Sequence, residues 1–360
     1  ELAPDYAWAL GSRGQTLRAM RRNDEALADF DRALAVRPDQ AWIVAERGET
    51  LRAMGRYDEA IGAFTRAIEL DPDYVWALGH RAICYREQGR YAEAVADLER
   101  AIAIAPPQAW LFAERGENRR LLDQIDAALE DLHRALELEP DYAWALGSRG
   151  AAFRTAGLPD EALADFTRAI ELDPGYVWAI MQRGMLYRST GRQDEALADF
   201  TRVIELDPRH SGAYAERGEI YRLRRQYEQA LADFTRAIEL RPGYAWALGS
   251  SGQTLRSLGR YEEAIADLSQ AIELRPDVGW ALAERGECYR LLRRYEEAVE
   301  DFSRALEQNP RDSWTLSRRG AAYQAMAIFE EAYIDLTRAI ELDPENAWAW
   351  AQRGSLFRQM

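Results

Sequence analysis

Lysine is missing altogether: all 46 basic residues are arginine, set against 61 acidic ones. The resulting net charge of −15 argues against nucleic acid as a partner. Exclusive arginine either reflects a GC-rich genome or selects the planar guanidinium, which forks onto carboxylates and stacks on rings as lysine does not. Cysteine is scarce too. Cys84 and Cys288 recur at one place of a repeating pattern, six periods apart, so reduced thiols in the cytoplasm are expected and a disulfide is not. No apolar run approaches the ~18 residues of a membrane span, and residues 1–4 read as the tail of an earlier repeat instead of a leader. The three histidines, His80, His133 and His210, fall in different repeats at different places. They have no ligand spacing, and no nucleophile–base–acid set can be built around them. Glycines are dispersed by the period and make no phosphate loop. These absences predict a chain that is not an enzyme, holds no metal and no cofactor, and does not enter a membrane.

What is present is an unbroken period. Pro4, Pro38, Pro72, Pro106, Pro140, Pro174, Pro208, Pro242, Pro276, Pro310 and Pro344 stand 34 residues apart with nothing inserted or lost. Places are counted here from that proline. A glycine at +10 runs from Gly14 to Gly354, with Ala82 the one substitute; an alanine at +22 runs unchanged from Ala26 to Ala332. Phe or Leu follows at +26 and alanine at +29, once Val203. Small residues let two helices approach closely, and the large one fills the space beside them. In the repeat from Asp141 to Pro174, one helical pattern covers 143–156 and a second 160–173, with Gly157, Leu158 and Pro159 as the turn. The same windows recur along the chain, giving 21 helices from 7–20 to 347–360. Acidic residues such as Asp24, Glu25, Asp58 and Glu59 open the second helices, at the positive end of the helix dipole.

A helix–turn–helix period of this length with these small and aromatic places resembles the tetratricopeptide repeat family over essentially the whole chain. The resemblance implies an all-α fold, a right-handed superhelical α-solenoid in one domain. Its repeats are 5–38, 39–72, 73–106, 107–140, 141–174, 175–208, 209–242, 243–276, 277–310 and 311–344, with a half repeat at 345–360. Both ends read as cut from a longer protein. The family shares a scaffold and not a chemistry, so the function must come from the lining of its concave face.

On a helical wheel the first helix separates two arcs. Places +6, +10 and +13 share one arc with an arginine at +9; places +4, +7, +8, +11 and +14 share the other, which the resemblance assigns to the concave groove. At +4 stand Trp8, Trp42, Trp76, Trp110, Trp144, Trp178, Trp246, Trp280, Trp314 and Trp348, with Gly212 the exception. At +14 stand Arg18, Arg52, Arg86, Arg120, Arg154, Arg188, Arg222, Arg256, Arg290 and, in the last half repeat, Arg358, with Gln324 the exception. Trp and Arg are the side chains most often found as binding hot spots, so these two series are the candidate ligand-binding residues. The competing reading is that each tryptophan packs over the small residue at +7 of the preceding repeat. The +9 arginines lie on the packing arc and need partners. The Asp at +25 is the candidate, although Asp267 stands where Ser251 removes the arginine.

Charge is segregated between the helix sets. The eleven first-helix windows hold 23 Arg and 9 Glu, a surplus of 14 positive charges that leaves −29 to the rest of the chain. The expected function is a protein- or peptide-binding scaffold with a preference for acidic ligands, serving as the docking or sensing arm of a larger protein. Repeats five and six, around Arg154 and Arg188, have no Glu in their first helices and are the expected anion-preferring section. Two other readings stand: an architectural rod that self-associates through its open repeat ends, or the substrate-recognition array of an enzyme whose catalytic domain lies outside this segment.

Overall fold

A computed structural model describes residues 6–360. First helices of 13 residues, from α1 (Ala7–Ala19) to α21 (Ala347–Gln359), alternate with second helices of 14, from α2 (Asn23–Val36) to α20 (Phe329–Leu342). The described residues form 21 helices in tandem and no strand, as the period predicts for an α-solenoid. Second helices begin one residue earlier than expected: α10 spans Pro159–Leu172, with Pro159 inside its first turn. The acidic pair therefore sits one residue inside the helix instead of opening it. A proline is accepted at the entry because no intrahelical partner awaits its missing N–H.

The turn between the two helices of a repeat is made by one residue at +17 with positive φ. It is Gly55, Gly89, Gly157, Gly191 or Gly259 in five repeats, at φ of 73–79°, and Arg21, Asp123, Arg225, Arg293 or Ala327 in the others, at 58–61°. This left-handed residue turns the chain back so that the following N–H caps the helix, as when Arg56 donates to the Leu51 carbonyl at 2.9 Å.

The two helices of a repeat meet at the +10 glycine. A β-carbon added at Gly150 would lie 2.9 Å from the Phe166 ring, and one at Gly14 would lie 2.6 Å from Phe30. Both phenylalanines are fully buried, flanked by Ala162, Ala169, Ala26 and Ala33. Glycine lets the helices sit this close at these two places, while one repeat seats Ala82 there, fully buried.

The chain divides into two compact parts, residues 1–186 and 187–360. In the first part, first helices approach the first helix of the next repeat within 8 Å: α1 with α3 (Ala41–Ala53), α3 with α5 (Val75–Glu87), α5 with α7 (Ala109–Leu121), and α7 with α9 (Ala143–Thr155). In the second part the same holds from α13 (Ser211–Leu223) through α15 (Ala245–Ser257), α17 (Gly279–Leu291) and α19 (Ser313–Ala325) to α21. Within each part, successive second helices make no such approach among the described residues. The first helices are therefore the more tightly spaced layer within each part. No helix of the described residues is long and apolar enough to cross a membrane.

Candidate functional site

Eight +4 tryptophans, from Trp42 to Trp314, reach the +7 residue on the first helix of the preceding repeat. Trp42 lies over Gly11 so closely that a β-carbon there would come within 2.5 Å of the ring; Trp110 over Gly79 and Trp280 over Gly249 are closer still. Trp178 shares the notch at Gly147 with Tyr176. Where the notch residue is alanine, Trp76, Trp144, Trp246 and Trp314 join the clusters that contain Ala45, Ala113, Ala215 and Ala283. Packing does not hide the rings. Trp8, Trp178 and Trp280 are exposed at 62%, 36% and 40%, and Trp42, Trp76, Trp110, Trp144, Trp246, Trp314 and Trp348 are half-buried. The rings in these notches are thus packed on one side and keep part of their surface open.

Tyrosines at +2 lie beside four rings of the ladder. Tyr74, Tyr142, Tyr176 and Tyr244 lie 5.9–6.1 Å from Trp76, Trp144, Trp178 and Trp246, between centroids. Such pairs contribute about 0.5–1.5 kcal/mol beyond their burial. The signal was present in the recurring YAW and YVW sequences, but two residues along a helix entry do not share a wheel face.

The +14 arginines from Arg18 to Arg290 are half-buried, and two rules govern their partners. In the repeats reading AERGE, the arginine takes both oxygens of the Glu three residues before it: Arg52 with Glu49, Arg120 with Glu117, Arg222 with Glu219 and Arg290 with Glu287, all at 2.6–2.9 Å. In the repeat before each of these, the arginine reaches the other Glu, 28 residues on: Arg18 to Glu46 at 2.9 Å, Arg86 to Glu114 at 3.2 Å, Arg188 to Glu216 at 2.8 Å and Arg256 to Glu284 at 2.6 Å. Burial pushes the Glu114 and Glu216 carboxyls up, against the pull of Arg86 and Arg188. One AERGE repeat therefore neutralises two arginines, its own and its predecessor's.

Arg154 falls outside both rules. Its own helix offers Ser148 and Ala151 where the AERGE repeats have Glu, and the next repeat offers Gln182. Among the described residues its guanidinium has no hydrogen bond and no ion pair, and burial, followed by the nearby Arg120, lowers its pKa. Gln182 leaves its Oε1 buried and without a hydrogen bond. Sequence reasoning also passed over Arg318, at +8, which lies 3.7 Å from the centroid of Trp348 and 5.4 Å from that of Trp314. His80 occupies the same place in its repeat, stacked 4.0 Å from Trp76 with Nδ1 2.9 Å from the Trp76 carbonyl. Burial lowers its pKa.

The +9 arginines do find Asp at +25. Arg13, Arg81, Arg115, Arg149, Arg217, Arg285 and Arg319 each fork onto Asp29, Asp97, Asp131, Asp165, Asp233, Asp301 and Asp335 respectively. Arg47, whose repeat has Ala63 at +25, turns to Asp31 at 2.7 Å instead. Cys84 and Cys288 are free and fully buried, and burial pushes both thiols up to about 12. Among the described residues no group of three or more His, Cys, Asp or Glu is arranged to hold a metal.

Models of the tetratricopeptide repeat match residues 7–37, 39–106, 143–176, 177–210, 211–277 and 251–313. The chain belongs to the tetratricopeptide repeat family. Its last stretch, residues 329–360, matches the protein prenyltransferase alpha subunit repeat, a match confined to α20 and α21 that does not establish catalysis. No curated protein sequence matches the chain. Among solved structures it is similar to the Cut9–Hcn1 hetero-tetramer of the APC/C, at 14% identity over 92% of this chain and 81% of that one, with a TM-score of 0.58. It is also similar to a tetratricopeptide repeat protein of Parabacteroides merdae, at 20% identity over 69% and 98% of the two chains, TM-score 0.51. YrrB, a tetratricopeptide repeat protein described as having an unusual peptide-binding site, matches at 27% identity over 51% and 95%, TM-score 0.40. The first two share the tetratricopeptide repeat fold with this chain, which is a scaffold built of repeated helix pairs.

Proposed function

We propose that the first-helix layer is a groove for an extended protein or peptide ligand with acidic side chains, and that Arg154 is the place where it holds an anion. The chain would act as the docking arm of a larger cytoplasmic protein. Tight spacing of the first helices supports a concave face on that side, and half-exposed tryptophans offer rings between which apolar side chains fit. The observation that carries the reading is the charge pattern: of the nine half-buried +14 arginines from Arg18 to Arg290, eight face a Glu, and Arg154 does not. Arg188, expected to act beside it, has Glu216 at 2.8 Å, so the reading narrows to Arg154. A carboxylate or phosphate there would receive forked hydrogen bonds from a guanidinium with no competing partner. One exposed ion pair is worth only about 0–1 kcal/mol, so useful affinity requires several repeats engaged along an extended segment. Titration with acidic and basic peptide libraries at low and high salt tests this. Acidic peptides should bind better and weaken as salt rises; salt-insensitive binding of basic peptides would overturn the proposal.

One observation favours end-to-end association as a second reading. Helix α21 exposes Trp350 at 48% and Phe357 at 59%. Sedimentation should then show size rising with concentration, and Phe357→Glu should abolish the rise.

A further inference from the structure

In the second part of the chain, arginines at +9 are seated in a common receptor. Arg217, Arg285 and Arg319 take both oxygens of Asp233, Asp301 and Asp335 at 2.7–2.9 Å. The remaining guanidinium nitrogen reaches a hydroxyl on the second helix of the preceding repeat: Thr201, Ser269 and Ser303, at 2.9–3.3 Å. A tyrosine at +13 lies beside each guanidinium: Tyr221, Tyr289 and Tyr323, at 5.8–6.0 Å from the ring centroids.

Repeat 243–276 keeps this receptor and lacks the arginine. Asp267 and Thr235 hold the two anchoring places, Ser251 stands where the arginine belongs, and Leu255 replaces the tyrosine. A cleft of about 580 Å³ is left between α14 (Tyr227–Leu240), α15 and α16 (Tyr261–Leu274), with Leu231, Ile238 and Leu255 as apolar wall and Thr235 and Asp267 as its polar end. Asp267 receives one hydrogen bond, from Ser251 Oγ at 2.6 Å. It is half-buried where its counterparts Asp233, Asp301 and Asp335 are buried. Burial raises its carboxyl above the usual range, as expected of a carboxylate whose cation is missing. Arg260, also in the lining, forks onto Glu263 at 2.7 and 2.5 Å and leaves Asp267 open.

We propose that this cleft binds an alkylguanidinium group, the side chain of an arginine on a partner polypeptide, seated on Asp267 and Thr235 as the chain's own arginines are seated in the adjacent repeats. The leucine and isoleucine wall would cover the methylene stem, and the fork would meet the two carboxylate oxygens. An ammonium has the charge but not the fork. The cleft shares no residue with the tryptophan and +14 arginine rows, so it stands or falls apart from the groove.

The test is calorimetric titration of the full chain with N-acetyl-arginine amide, agmatine and N-acetyl-lysine amide. The capped arginine should bind saturably, and the lysine compound about tenfold more weakly. Ser251→Arg places in this repeat the residue its neighbours carry, so that variant should fold and should lose binding. Asp267→Asn should lose it as well. Binding of agmatine without the capped arginine would move the site from a partner's side chain to a free guanidino compound. No saturable binding, or binding that survives both substitutions, would overturn the proposal.

Discussion

At each repeat turn a single residue is held at positive φ, and half of the repeats place there a residue other than glycine. Ala327, at φ 58°, has a β-carbon and no polar side chain to offset the strain. A left-handed conformation costs a non-glycine residue roughly 1–2 kcal/mol, part of which glycine returns as chain entropy in the unfolded state. Ala327→Gly should therefore stabilise the chain by about 1 kcal/mol in denaturant melts; a loss of stability would show that the turn is not strained. His80 gives a pH dependence whose sign follows from its surroundings. Burial lowers its pKa below the ordinary 6.5, outweighing the pull of Glu49. The unfolded chain then binds the proton more tightly than the folded one, so stability is full above pH 6.5 and declines as pH falls through that value toward the folded pKa. Melting temperature should fall on acidification from neutral pH, and His80→Gln should remove part of that fall.

Between elements, the tryptophan–notch contact sets how closely one repeat sits on the next. Ala113 is fully buried and packs in one cluster with Trp144. Ala113→Leu should destabilise by roughly 1–3 kcal/mol through overpacking, and an unchanged thermal melt would show that the ring can swing away. The helix pairs and their small-residue contacts were legible because a period of 34 residues repeats each packing place ten times. The arginine partners were legible only in part. Glu49 lies one turn from Arg52 on the same helix, and a wheel finds it. Glu46 meets Arg18 across two helices, and that pairing depends on how far one repeat is rotated on the next, which no single-helix wheel contains. The same limit hid the packing of Arg318 on Trp348 and the rescue of Arg47 by Asp31. The start of α10 was missed by one residue because acidic pairs mark the first turn and not its first residue.

Over the whole molecule, an acidic chain keeps its positive surplus on one set of helices, and pairs nearly all of the +14 row with glutamates from AERGE repeats. The half-buried exception, Arg154, decides the account. Gln182 stands in repeat six where Glu46, Glu114, Glu216 and Glu284 stand in others, so Gln182→Glu should supply the missing partner of Arg154 without removing the arginine. The most direct measurement is the affinity of one acidic peptide, selected on the natural chain, for that chain, for Arg154→Ala and for Gln182→Glu, by fluorescence anisotropy at low and high salt. Both substitutions should weaken binding severalfold at low salt, and the three affinities should converge at high salt. Equal affinities at low salt would contradict the assignment of Arg154 as the anion-holding residue of the groove.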